Sequence, residues 1–227
     1  MVNLTAHESR ILGVLIEKAQ TTPAQYPLTL NALVTGANQK SNRDPVIELG
    51  EEQVLAALDG LRSKTLVREV MLSGSRVEKY RHVARETLEV STTELVVLAE
   101  LLLRGPQTVG ELRGRASRMH PLESLEVVTN VLEHLQQRQE PLVRSLPPAP
   151  GSRAGRFAQL LCPDLHRLEA AATGAVGERE APDEASLALR VGQLEAEVNQ
   201  VRQAIQRLAR SLGEEDPLAG PRSGRDT

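Results

Sequence analysis

Aromatic side chains are almost missing: two Tyr, one Phe and no Trp in 227 residues. Tyr26, Tyr80 and Phe157 are too few to stack a run of unpaired bases, so a single-strand binder is disfavoured. They also leave the core to aliphatic residues. A single cysteine, Cys162, excludes an intramolecular disulfide and points to a reducing compartment. Set between Leu161 and Pro163, it reads as a small buried hydrophobe rather than a nucleophile. No apolar run approaches the roughly 20 residues that span a bilayer. Met1-Val2-Asn3-Leu4-Thr5 has neither a basic region nor an apolar signal core. A soluble, cytoplasmic protein is expected.

Charge of one sign is also lacking. The net charge is -3. Residues 1–90 carry 11 cationic and 11 anionic side chains, 91–162 carry 8 and 7, and 163–227 carry 8 and 12. A strongly basic domain is thereby excluded, while a local basic patch is not. Ligand clusters are missing too. His7, His82, His120, His134 and His166 never meet a Cys or carboxylate at a metal-ligand spacing. Gly36-Ala37-Asn38-Gln39-Lys40-Ser41 lacks the glycine before the lysine and the preceding strand of a phosphate loop. The expectation is a non-enzyme with no metal, no cofactor and no catalytic residue.

What is present is pattern. Thr5 and Glu8 make a capping box ahead of Ile11, Leu12, Leu15 and Ala19, an apolar helix face that Thr21-Thr22-Pro23 stops. A second helix is expected after Pro27, through Leu28, Leu30, Leu33 and Val34 to about Asn38. Lys40 to Pro45 reads as a loop, Val46-Ile47-Glu48-Leu49 as a short strand, and a third helix starts near Glu51. Two β-prone runs, 66–72 and 77–83, flank Ser73-Gly74-Ser75-Arg76 and signal a hairpin. The order then repeats. Ser91 with Glu94 and Thr108 with Glu111 make two more capping boxes, and Leu125, Val128, Val131, Leu132 and Leu135 mark another third helix. Leu142-Val143-Arg144 repeats Leu66-Val67-Arg68. A returning strand from Arg156 to Leu161 follows an irregular Pro-rich tip. The fold class expected is mainly α with small β-hairpins (α+β): two tandem winged helix-turn-helix domains, 1–88 and 89–165.

Beyond them, 166–185 reads as a linker. Leu187, Val191, Leu194, Val198, Val201, Ile205, Leu208 and Leu212 then alternate at steps of four and three, a heptad seam over 186–212. Mostly β-branched a positions with mostly Leu d positions favour a parallel dimer, in which Arg190 faces Glu195 and Glu197 faces Arg202. Folding back onto the chain's own domains is the other use of such a seam. The tail, 213–227, reads as disordered.

For nucleic acid, the polar loop supplies Asn38, Gln39, Lys40, Asn42 and Arg43, whose amides and cations suit phosphates and base edges. Its alternative reading is a tight turn with Arg43 paired to Asp44. The third helix of the first domain adds Gln53, Arg62 and Lys64, opposed by Glu51, Glu52 and Asp59; its counterpart has only Arg138. The wings add Arg76, Lys79 and Arg81, then Arg153 and Arg156.

Tyr26-Pro27-Leu28-Thr29-Leu30-Asn31-Ala32-Leu33, followed by Asn38-Gln39-Lys40-Ser41-Asn42-Arg43-Asp44-Pro45-Val46, resembles the signature of the YceH-like bacterial proteins. The resemblance extends to about Leu161 and implies a tandem winged helix, with 38–45 as the functional surface. Two functions are expected. The first is a DNA-binding, transcription-regulator-like homodimer on double-stranded DNA. The second is a protein-interaction scaffold similar to chromosome-condensation accessory subunits, without direct DNA contact.

Overall fold

A computed structural model describes residues 2–71, 77–149, 151–163, 165 and 206. The expectations for Arg76, the 166–185 linker, the heptad residues Leu187 to Leu212 and the 213–227 tail lie outside these residues. Residues 1–173 belong to one compact unit, and its described part contains seven helices and two three-stranded antiparallel sheets.

Helix α1 (Ala6–Thr21) starts at the expected capping box: Thr5 Oγ1 accepts from Glu8 N, and Glu8 Oε2 accepts from Thr5 N at 2.7 Å. It ends before a 3-10 turn at Pro23–Gln25, because proline at 23 cannot continue the hydrogen-bond ladder. Leu28–Thr29 is a two-residue strand, β1, and the Thr29 hydroxyl then caps α2 (Leu30–Ala37). The second helix therefore begins later than the apolar spacing suggests. Val46 to Leu49 is not a strand. Its backbone partner is a side chain: the Asn38 amide donates to Leu49 O at 2.9 Å and accepts from Leu49 N at 2.8 Å. Helix α3 (Glu51–Ser63) leads into β2 (Val67–Val70) and β3 (Lys79–His82), and a short α4 (Ala84–Thr87), not legible beforehand, closes the first half.

The second half repeats the order with α5 (Thr92–Arg104), β4 (Gln107–Thr108), α6 (Val109–Ala116), α7 (Leu125–Gln137), β5 (Val143–Leu146) and β6 (Arg156–Gln159). Both remaining capping boxes are present. The sheets run β1-β3-β2 and β4-β6-β5. In each, the short strand ahead of the second helix completes the hairpin, because a two-stranded ribbon alone is marginal in water.

The two halves share a core. Ten consecutive residues of α1, Glu8 to Glu17, are buried, as are nine of α5, Leu95 to Leu103. A helix buried all round is a central helix, so the single apolar face expected of α1 was too narrow a reading. Gly13 permits the close approach of α1 to α5: a Cβ there would lie 2.8 Å from Leu103 Cγ. The start of the chain also reaches the second half, where Leu4 N donates to Leu161 O at 2.7 Å.

Candidate functional site

The polar loop at 38–45 is divided: Lys40, Ser41 and Asp44 are exposed, whereas Arg43 is buried. Arg43, expected on the surface, has a fully buried side chain. Its Nη2 lies 2.5 Å from Glu17 Oε2, its Nε donates to Gly36 O and its Nη1 donates to Asn42 O. Gln39 Oε1 takes a further bond from Nη2. Arg43 thus pairs with Glu17 rather than with Asp44, and its guanidinium donors meet acceptors within the chain. Asn38 is spent on Leu49, and Asn42, with φ 60°, accepts from Arg104 through Oδ1. Arg10, also buried, donates to the carbonyls of Ala37 and Pro45, one at each end of the loop. Burial, then the charge of Arg43, lowers its pKa to about 10. Of the candidates in this loop, Lys40 alone is exposed.

Arg43 is one end of an ion-pair chain across the halves. Arg118, after α6, reaches Glu17 with Nη1 and Glu100 with Nη2, the latter at 3.0 Å. Arg104 Nε lies 3.1 Å from Glu100 Oε1, a Coulombic contact without hydrogen-bond alignment. Burial would raise the Glu17 carboxyl, but Arg43 and Arg118 outweigh it and hold its pKa below the ordinary value. Desolvation opposes the charge on Arg118, and the two glutamates raise its pKa nonetheless. Sequence reading missed this relay, since Glu17, the Glu100–Arg104 pair of α5 and Arg118 are far apart along the chain and belong to no motif.

The third-helix cations are committed as well. Arg62 pairs with Asp59 at 3.3 Å and Glu69 at 3.2 Å. Lys64 pairs with Glu8 of α1. Gln53 Oε1 accepts from Gly50 N at the helix start. Glu51, Glu52 and Asp59 stand exposed around them. In the second half, Arg138 donates to Leu88 O at 2.7 Å and Glu89 O at 3.2 Å, tying the end of α7 to the connection between halves.

The first sheet is different. Its register sets Leu28 beside Tyr80, Glu69 beside Tyr80, and Val67 beside His82, forming the inner row. Alternation puts Thr29, Arg68, Val70, Lys79 and Arg81 on the other face. Arg68 lies directly opposite Arg81, and both are exposed. No carboxylate belongs to that row. Lys79 and Arg81 were expected here; Arg68 was missed, although its hairpin register could have revealed it. On the inner row the Tyr26 hydroxyl accepts from His82 N at 2.6 Å, and burial raises its pKa to about 12. Burial also lowers His82 to about 4.

The second sheet has no such face. The equivalent pairs are Arg144 with Ala158 and Leu146 with Arg156, and Ala158 and Leu146 are buried. Arg153 is exposed, while Arg156 reaches back to Pro147 O. Among the described residues no group of three His, Cys, Asp or Glu is placed to hold a metal ion, and no helix is long and apolar enough to cross a membrane.

A family model described as a protein of unknown function, DUF480, matches residues 4–152. The chain is similar to a UPF0502 protein of Geobacter sulfurreducens, with 56% identity over 164 residues, 71% of this chain and 74% of that one. It is similar to a UPF0502 protein of Shewanella pealeana, with 43% identity across 91% of this chain and 99% of its relative. A UPF0502 protein of an Acidovorax species is 44% identical across 92% and 94%.

Proposed function

The chain belongs to the DUF480 family of bacterial proteins of unknown function, and from that premise we propose that it is a non-catalytic, tandem winged-helix protein that binds duplex DNA. Two features support the winged-helix reading. Each half runs three helices into a hairpin, and the short strand before the second helix pairs with the hairpin's returning strand. The observation that carries DNA as ligand is the cationic pair on the first hairpin, exposed Arg81 and half-buried Lys79, in a half whose charge is balanced overall. Exposed cations on such a wing sit where phosphates pass. The 186–212 heptad supports a homodimer, which would bring two such wings to one duplex.

The test is anisotropy titration of the full chain against a labelled duplex at several salt concentrations. Binding that weakens steeply with salt is expected. Failure to bind at low salt, together with a nuclease-resistant, stoichiometric protein partner captured from native lysate, would replace this reading with the protein scaffold.

A further inference from the structure

The Arg68–Arg81 pair has no explanation in the fold. Directly opposed residues of an antiparallel pair hold their Cβ atoms roughly 4.5–5.5 Å apart, and like charges there are destabilising. Solubility accounts for a lone cation on an edge strand, but Arg81 is not alone: it stands directly opposite Arg68. A glutamate opposite it would serve solubility and stability together. Lys79 is two residues from Arg81 on the same row, so three cations share one small surface. No ion pair is formed by any of them among the described residues, whereas Arg62, Lys64, Arg43, Arg104 and Arg118 are all paired.

We infer that the outer face of the first sheet, Arg68 and Arg81 with Lys79, is a phosphate-backbone contact surface, and that it, rather than α3, engages the duplex. The inference rests on the DNA-binding reading and adds the site and mode. Two closely spaced phosphates would relieve the repulsion between the guanidinium groups, each of which can hold an oxyanion by two parallel N–H bonds. Helix α3 cannot take the same ligand easily, because Glu51, Glu52 and Asp59 stand on its exposed surface and repel phosphate. The face has no aromatic side chain on which an unpaired base could stack. Contacts of this kind position a protein on DNA without reading bases. Low sequence preference therefore follows. The second half contributes no equivalent face, since buried Ala158 stands where Arg81 does in the first.

The experiment compares the wild-type full chain, an Arg68→Ala/Arg81→Ala variant and a Glu51→Gln/Glu52→Gln variant. All four positions are exposed, and thermal melts check that the fold is kept. Anisotropy is read with two unrelated 20-base-pair duplexes across a salt series, and amide shifts are read with inorganic tripolyphosphate. The arginine variant is expected to bind about tenfold or more weakly at low salt, with its log–log salt slope reduced by about two, one for each phosphate no longer neutralised. Wild type should bind both duplexes about equally, and the glutamate variant should bind no less tightly than wild type. Duplex binding that the arginine variant leaves unchanged would overturn the inference while the DNA-binding reading stands. Absent duplex binding, with tripolyphosphate shifts at 68, 79 and 81 that the arginine variant abolishes, would keep the face and discard DNA. Neither duplex binding nor those shifts would discard both.

Discussion

Arg43 shows how a residue expected at the surface can be a buried charge. Taking a guanidinium and a carboxylate out of water costs several kcal/mol per ion, recovered only when every donor is met. Arg43 meets Glu17, Gly36, Asn42 and Gln39. Arg43→Ala should therefore cost about 3–5 kcal/mol, the usual penalty for stranding a buried partner charge, read as a lower denaturation midpoint. An Arg43→Met/Glu17→Met double variant should recover much of the loss. His82 makes a second prediction at this scale. Unfolded it titrates near 6.5, and folded near 4, because burial disfavours the imidazolium. Between these values the unfolded chain binds a proton that the folded chain does not. Stability is full above about pH 6.5, falls as pH drops, and is lower by up to about 3 kcal/mol below pH 4. Urea midpoints at pH 7.5 and pH 5 should differ in wild type and converge in His82→Gln. The Glu17 contribution is separate: its depressed pKa keeps that stability until pH falls below the ordinary carboxylate range.

Between elements, the α1–α5 contact governs how the halves meet. Gly13 faces Leu103 and Leu102 with no room for a side chain. Gly13→Val should push the helices apart at a cost of about 1–3 kcal/mol, the range for overpacking a filled core, visible as a lower Tm. Gly110 and Gly114 of α6 have open space around them. Alanine at either should be neutral or stabilising, because it removes backbone entropy from the unfolded chain. The contrast separates a packing requirement from mere helix propensity. The polar loop belongs to this scale too. Arg10 bonds both of its ends, Asp44 N donates to Leu103 O and Arg104 holds Asn42. It is a strap between α2 and α5.

For the whole molecule, those interactions mean that the first half is incomplete without the second. A fragment of residues 2–88 would expose the α1 surface that meets α5, leave Glu17 without Arg118 and lack the Leu4–Leu161 bond. It should melt without cooperativity or aggregate, whereas residues 2–165 should melt in one transition; circular dichroism checks both. The heptad yields the other prediction. Val198→Asp would place an unpaired charge in the proposed seam at a cost of several kcal/mol and should convert a dimer to monomers by light scattering. Monomeric masses for both wild type and variant would refute the dimer.

The sequence alone determined most of the helices and the three starts that capping boxes mark. Thr5 with Glu8, Ser91 with Glu94 and Thr108 with Glu111 act within four residues, as do the 3.6-residue spacings that follow them. The hairpins and the doubled order were legible for the same reason, and so was the family, through Tyr26 to Val46. Tertiary structure alone decided which charges are available. Lys40 and Arg43 look alike in the chain, yet one is exposed and the other sealed against Glu17, a partner 26 residues away. Asn38 replaced an expected strand partner for Leu49, and β1 formed only because β3 returned beside it. Arg68 gained its significance when the register put Arg81 across from it. Capping and periodicity are local interactions, whereas desolvation, ion pairing and strand register depend on residues that only the fold makes neighbours.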